Sequence, residues 1–273
     1  GVEAQRVSIN TLYAGGSFGR RANPHSDYVV EAAEIAKAFG KNVPVKMMWT
    51  REDDMRAAWF RPLYVHRLKA GLNRKGEIVA WQHHIVGQSI IKGTAFESMM
   101  LKDGIDASSV EGAANLPYAI PHFQVELTTL DPGVPVQWWR SVGSTHTAFA
   151  TEHFIDRLAR TAGKDPVQFR LNLLQEHPRH AGVLKLAAEK SGWGKTATKD
   201  TLLGVALHES FNTYVAQVAQ IRRNANGSFK VEKVVCAVDC GVAVNPDVIA
   251  AQMEGGIGYG LSPALMSANT VQQ

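Results

Sequence analysis

The first pattern along the chain is an alternation of apolar and polar positions over Val7–Tyr13, which predicts a strand running into the glycine-rich turn Gly15-Gly16-Ser17-Phe18-Gly19. The period then changes. Tyr28, Ala32, Ile35, Ala36 and Phe39 share one face of a helix predicted from Ser26 to Phe39, with Gly40 placed to end it. Val43–Trp49 reads as a short buried strand. The strands Tyr64–Leu72 and Ile78–Val86 are joined by Asn73-Arg74-Lys75-Gly76, a hairpin turn. Residues 88–121 lose clear periodicity and predict a long, partly irregular excursion of the kind that carries function when ordered. His122–Leu130 resumes as a strand, and Asp131-Pro132-Gly133-Val134-Pro135 breaks the chain before a Trp-rich segment.

The middle is helical. Ala148, Ile155, Leu158, Ala159 and Ala162 lie on one face before Gly163. Asp165 is an N-cap with Pro166 at the first helical position and Gln168 three residues on. Val183, Leu184, Ala187 and Ala188 mark a third helix closed by Ser191-Gly192. The last third returns to strands: Tyr214–Arg222 and Phe229–Val238 flank Asn226-Gly227, a strong hairpin signal, and Asn245-Pro246 caps a short helix leading into Gly255-Gly256-Ile257-Gly258-Tyr259-Gly260. Strands, then helices, then strands predict an α+β fold and not a repeated βαβ one.

At 273 residues the chain can form one large or two modest domains. With 45% hydrophobic and 20% charged residues it has the composition of a globular protein. No apolar run approaches the roughly 18 residues that span a bilayer. Gly1–Arg6 shows neither a basic nor an apolar export region. The net charge of +4 is scattered without a block of like charges, so the clustered footprint of nucleic-acid binding is missing.

Candidate chemistry is confined to a few segments. Glycines at a strand end let Gly15-Gly16-Ser17-Phe18-Gly19-Arg20-Arg21 bring backbone N–H groups close to an anionic ligand, or simply make a turn. Ser17 breaks the dinucleotide-binding glycine spacing, and no P-loop Gly-Lys-Ser/Thr follows. Trp138-Trp139-Arg140 can aim a fixed guanidinium at a carboxylate, phosphate or metal-bound oxygen, or stack on tryptophan and pair with a structural carboxylate. The ten histidines include no metal-binding pattern: His83 and His84 point to opposite faces of a strand, and no His-Glu-x-x-His exists. His208-Glu209-Ser210 carries triad-like letters on adjacent residues that cannot form a triad, and no nucleophile elbow is present. Cys236 and Cys240, read as strand residues roughly 13 Å apart, cannot bridge one another, and are expected to be small buried apolar groups without metal.

Taken together, these segments resemble one family. Gly15-Gly16-Ser17-Phe18-Gly19 is similar to the Gly-Gly-Gly-Phe-Gly motif of the xanthine oxidase superfamily, and its Arg20-Arg21 ending with Asp27-Tyr28-Val29-Val30-Glu31-Ala32 resembles the isoquinoline 1-oxidoreductase β-subunit branch, which includes membrane-associated aldehyde dehydrogenases. The further matches come in family order. They are Trp49-Thr50-Arg51-Glu52-Asp53-Asp54-Met55, Val110-Glu111-Gly112-Ala113-Ala114, Trp139-Arg140-Ser141-Val142-Gly143 and Phe154-Ile155-Asp156. Ala237-Val238-Asp239-Cys240-Gly241, Asn245-Pro246-Asp247 and Gln252-Met253-Glu254-Gly255-Gly256 complete the set.

The resemblance implies a molybdopterin-binding domain of the xanthine oxidase type, with mixed sheets and packed helices. Residues 1–200 would be the first part of the cofactor-binding region and 201–273 a strand-rich second part, truncated at its C-terminal end. It implies a molybdenum–molybdopterin cofactor in the cytosine dinucleotide form, with Phe18 and Gly19 beside the metal centre, Gly15 and Gly16 making the turn, and Arg140 close to metal and substrate as the catalytic residue. The implied reaction adds water-derived oxygen to an aldehyde or an N-heteroaromatic ring. Electrons leave through iron–sulfur clusters on a small partner subunit, with a cytochrome c as a further partner, at the periplasmic face of the inner membrane. Three departures stand out: Ser17 replaces a glycine, the family's catalytic glutamate would lie beyond Gln273, and the family's long N-terminal part has no counterpart. A non-catalytic binding module and a nucleotide-binding protein are the competing readings.

Overall fold

The computed structural model describes residues 2–57, 59–195, 198–268 and 270. Eight helices and eight strands are assigned among them: α1 (Asp27–Phe39), α2 (Arg51–Ala57), β1 (Tyr64–Leu72), β2 (Ile78–Gly87), α3 (Glu97–Met100), β3 (Leu101–Lys102), β4 (Ile105–Asp106), α4 (Ala107–Val110), β5 (His122–Thr129), α5 (Ser144–Thr161), α6 (Pro166–Leu173), α7 (Pro178–Ser191), β6 (Thr201–Ser210), β7 (Thr213–Arg223), β8 (Phe229–Asp239) and α8 (Pro246–Leu265). The strands form sheets of order β1-β2-β5, β3-β4 and β6-β7-β8. Helices and sheets in separate blocks make this an α+β fold.

The chain divides into two compact units, one comprising Gly1–Val65, Val86–Ser109 and Leu127–Val142, the other His66–Ile85, Val110–Glu126 and Gly143–Gln273. The hydrophobic core belongs to the second unit. Ile78 and Trp81 of β2, Ile155 and Leu158 of α5, Phe169 of α6, Val183 and Leu184 of α7, and Val205, Leu207, Ala216 and Val218 of β6 and β7 are all buried in one cluster. Ile78, Trp81, His83 and Ile85 are buried along β2, largely at every second position as a strand with one covered face requires.

Local chemistry explains the boundaries. The Asp165 side chain accepts from the Gln168 N–H at 2.8 Å and Pro166 opens α6, so an orphan donor is satisfied where the helix begins. Asn245 does the same for α8 through Val248 N–H at 3.2 Å, and Gly192, left-handed at φ 68°, ends α7. β6, β7 and β8 are antiparallel, with Val205 opposite Val218 and Ala216 opposite Ala237.

Several sequence expectations change. Val7–Tyr13 and Val43–Trp49 are not strands: both run without ladder partners, and Tyr13 is fully exposed. Alternation is a property of side chains, but a strand also needs a neighbour for its N–H and C=O groups. β6 went unread. The short helix expected after Asn245 is instead 20 residues long and continues through the glycines to Leu265. The expectation for the cysteines is corrected too, since Cys236 and Cys240 are free thiols of intermediate exposure.

A buried ion network braces the second unit. Arg170, fully buried, donates to Glu152 at 3.0 Å and to Asp156 at 2.6 Å, and Glu152 also accepts from Tyr118 and from the Leu207 N–H, both at 2.7 Å. Every strong acceptor of Glu152 is thereby used, which is the condition under which a buried charge is tolerated.

Candidate cofactor site

The glycine turn ends in a strained backbone. Gly16 has φ 131°, Phe18 φ 51° and Gly19 φ 103°, so the one side chain at positive φ in the turn is a phenylalanine. A bulky residue there costs on the order of 1–2 kcal/mol and persists only where its surroundings hold it. Ser17 stays out of the positive-φ region, which answers its substitution for glycine, and it acquires a use. Its carbonyl accepts from Arg20 N–H at 3.0 Å and its hydroxyl from Arg21 N–H at 3.1 Å, closing the turn.

Arg20 ties the turn to α1 through two parallel hydrogen bonds of 2.9 Å to Asp27. Asp27 also accepts from Trp59 Nε1 at 2.7 Å and from Tyr28 N–H at 2.7 Å. Burial works against ionisation of Asp27, but the bonds from Arg20, Trp59 and Tyr28 prevail and hold its carboxyl below the usual range. Behind the turn, buried Asn23 donates to the buried Gln137 side chain at 3.0 Å.

The Trp-rich segment meets this turn directly. Arg140 N–H donates to the Phe18 carbonyl at 2.8 Å, and the Arg140 guanidinium lies 5.8 Å from the centre of the Phe18 ring. Gly19 is required by packing: a Cβ on it would fall 2.2 Å from the Trp138 carbonyl oxygen and 2.9 Å from Trp139 Cα. Trp139 Nε1 donates to the Trp59 carbonyl at 3.1 Å, and Arg61 donates to the Arg140 carbonyl at 3.0 Å. Immediately after Arg140, Ser141 and Val142 take φ 73° and 44°. Val142 is β-branched, for which a left-handed conformation is a true outlier. Strained segments thus sit on both sides of the hydrogen bond that joins Phe18 to Arg140, the clustering expected of functional sites.

The structure therefore brings Gly15, Gly16, Phe18, Gly19 and Arg140 into one place across more than a hundred residues of sequence. Asn23, Trp59, Arg61 and Gln137 carry no signal in the sequence, and Ser17 and Asp27 stand only inside family-like stretches without their bracing role. The only signal that could have pointed to Gly19 and Trp138 as partners was the incompatibility of any Cβ with so close an approach.

The turn suits an oxygen-rich anionic group. The N–H groups of Gly15, Gly16, Phe18 and Gly19 donate to no protein acceptor among the described residues, and the space where a Gly15 Cβ would lie is empty to 4 Å. Consecutive free N–H groups on a left-handed turn make an anion-binding nest. The profile of the molybdopterin cofactor-binding domain matches residues 1–174, and a second profile of the same description matches residues 147–272.

The chain belongs to the molybdopterin cofactor-binding family of the xanthine oxidase type. It is 34% identical over 271 residues to the isoquinoline 1-oxidoreductase subunit beta of Brevundimonas diminuta, covering 97% of this chain and 34% of that protein. It is 32% identical to the membrane-bound aldehyde dehydrogenase (pyrroloquinoline-quinone) of Gluconacetobacter polyoxogenes, over 97% of this chain and 37% of that protein. The chain thus spans roughly a third of the length of these relatives. Its fold is that of quinoline 2-oxidoreductase from Pseudomonas putida 86, with a TM-score of 0.52, 17% identity, and coverage of 80% of this chain and 32% of that one.

The histidines take other places. His83, fully buried, approaches His66 at 2.8 Å, and His66 approaches His146 at 3.0 Å, a row of imidazoles joined by hydrogen bonds. Among the described residues no group of three or more His, Cys, Asp or Glu side chains has the arrangement to hold a metal ion. No described helix is long and apolar enough to cross a membrane.

Proposed function

We propose that this chain forms the cofactor-binding part of the large subunit of a molybdenum hydroxylase that oxidises an aldehyde to a carboxylic acid or hydroxylates an N-heteroaromatic ring with oxygen from water. The observation that carries the reading is the 2.8 Å hydrogen bond from Arg140 N–H to the Phe18 carbonyl, between two strained segments of a molybdopterin-binding family member. When bound, the molybdenum–molybdopterin group supplies the two-electron acceptor for the substrate carbon. The chain's own residues bind and orient. The free N–H groups of the turn would hold anionic oxygens of the cofactor, with their direction fixed by the stiffness of the Phe18–Arg140 junction. Arg140 would place a permanent positive charge where oxygen gains negative charge during turnover, with the half-exposed Phe18 ring beside its guanidinium.

The relatives named for isoquinoline and for aldehyde oxidation support both substrate classes. The same reading extends to a cytosine dinucleotide form of the cofactor, to a small iron–sulfur subunit and a cytochrome c as electron partners, and to the periplasmic face of the inner membrane. The test is the full-length protein purified with its partner, its molybdenum measured by plasma mass spectrometry, and its oxidation of aromatic aldehydes and N-heterocycles followed with an artificial electron acceptor. About one molybdenum per large subunit with turnover of either class supports the proposal. Absence of molybdenum, beside a loaded control enzyme, contradicts it and favours a non-catalytic module.

A further inference from the structure

The second unit holds a partly enclosed cavity of about 220 Å³ that the cofactor turn does not use. Two of its lining residues are imidazoles without hydrogen bonds. His180 is 7% exposed and its imidazole makes no hydrogen bond among the described residues, and its ring is held edge-on by Tyr214 at 4.6 Å and by His177 at 5.3 Å between centroids. His208 buries its Nε2 with no partner. Its ring is seated by Gly112, at φ 76°, where a Cβ would come within 2.6 Å of His208 Cε1. Burial lowers the affinity of both imidazoles for a proton, to about 4 for His180, so near neutral pH they are uncharged. A buried polar atom with no partner calls for an explanation, and His208 Nε2 is one, with the His180 imidazole, which makes no hydrogen bond among the described residues, lining the same cavity.

The remaining wall says what fits. α7 begins at this cavity with Pro178 at its first position and no side-chain cap from His177, so the N–H groups of Arg179 and His180 have no partner within the helix. Glu209 also lines the cavity, as does Glu152, whose oxygens are already taken by Tyr118, Arg170 and Leu207. An anion would face Glu209, and a cation would face the positive end of α7 and the neighbouring Arg179. Leu116, Pro117 and the Tyr214 ring supply apolar surface. An apolar cavity of about 150 Å³ is known to accept benzene, so this volume takes one ring with a polar substituent.

We propose that the cavity lined by His180 and His208 is a binding site for a small, neutral aromatic alcohol of the phenol class. Its hydroxyl hydrogen goes to an unpartnered imidazole nitrogen, its oxygen accepts from an N–H of the His180–His208 cluster or the start of α7, and its ring lies against Leu116, Pro117 and Tyr214. This site does not depend on the cofactor reading, so it is expected in full-length protein with or without molybdenum.

The test is a ligand-observed NMR titration of full-length protein with phenol and with benzoate, on the wild type and on His180→Phe and His208→Leu. The site predicts saturable phenol binding, weakened by about five- to ten-fold in each variant, which is one lost hydrogen bond, with benzoate at least about ten-fold weaker than phenol because its charge would be buried facing Glu209. Melting curves establish that the variants fold. Crystals soaked in 4-iodophenol locate the ring by iodine scattering whatever the variants do. An iodine signal beside His180 and His208 supports the proposal. Absence of saturation, phenol affinity in both folded variants equal to that of the wild type, benzoate binding as tight as phenol, or only ordered water in the cavity overturns it.

Discussion

Replacing Gly19 by alanine is the sharpest perturbation of the cofactor turn. The new Cβ would sit 2.2 Å from the Trp138 carbonyl oxygen and 2.5 Å from its carbon, both backbone atoms that no side-chain rotation can move. Residue 19 also lies at φ 103°, where any L-residue is strained by roughly 1–2 kcal/mol. Relieving the contact means parting the two segments and stretching the 2.8 Å bond from Arg140 to Phe18, an overpacking cost of about 1–3 kcal/mol. The sum is roughly 2–5 kcal/mol, a shift of about 5–10 °C in melting midpoint for a protein of this size or somewhat less for a larger one. Gly15 is the internal control, since its Cβ would meet nothing within 4 Å and its φ is not positive. Melting followed by tryptophan fluorescence, together with molybdenum content, reads the effect. Gly19→Ala should melt earlier and retain little molybdenum, whereas Gly15→Ala should melt like the wild type. If Gly19→Ala matches the wild type in both readouts, the argument that close packing shapes this turn is wrong.

Other consequences can be measured alongside. Arg140→Met should lower kcat/KM by about 100-fold or more with little change in melting, because the lost charge acts on the developing oxyanion, and steady-state kinetics on the loaded enzyme checks it. Arg170→Leu should cost about 3–5 kcal/mol by stranding Glu152 in the core, seen in denaturant unfolding, while Arg179→Leu, which breaks an exposed pair with Asp239 and a stacking contact on the Tyr214 ring, should shift the same curve far less. His83 has its proton affinity pulled down to about 4 by burial first and then by His66 and His84. The unfolded chain therefore takes up that proton first as pH falls from about 6.5, so stability should be flat above that pH and fall toward pH 4, with His83→Phe showing a shallower slope. Asp27 runs the other way in mechanism, its folded carboxyl being the stronger acid, so the stability it adds is present above the unfolded value near 3.8 and is lost as pH falls below it. Asp27→Asn should erase that acid-side loss, as stability measured at pH 3 and pH 5 would show.

What could be read in the sequence is what short-range chemistry decides. Asp165-Pro166, Asn226-Gly227 and the stripe from Tyr28 to Phe39 carry their own caps, turn and face, and the structure has α6, the β7–β8 hairpin and α1 at those places. Val7–Tyr13 carries the alternation of a strand but no partner for its backbone, and pairing is not written in a segment's own residues. The glycines after Met253 read as turn material, yet α8 runs through them. The candidate site divides in the same way. Phe18 and Arg140 were singled out by likeness to a family, because 121 intervening residues hide their contact from any local pattern. The left-handed Ser141 and Val142 carry no signature at all, since serine and valine are ordinary strand and turn residues whose strain exists only once Trp139 and Phe18 are in place.

In the proposed enzyme the molybdenum centre lies against the Phe18–Gly19 backbone. Anomalous scattering from crystals of the loaded full-length protein locates the metal without reference to activity. The expected result is a single molybdenum peak facing the free N–H groups of the turn, with the Arg140 guanidinium on the same side. A stoichiometric peak lying away from both groups would contradict the account.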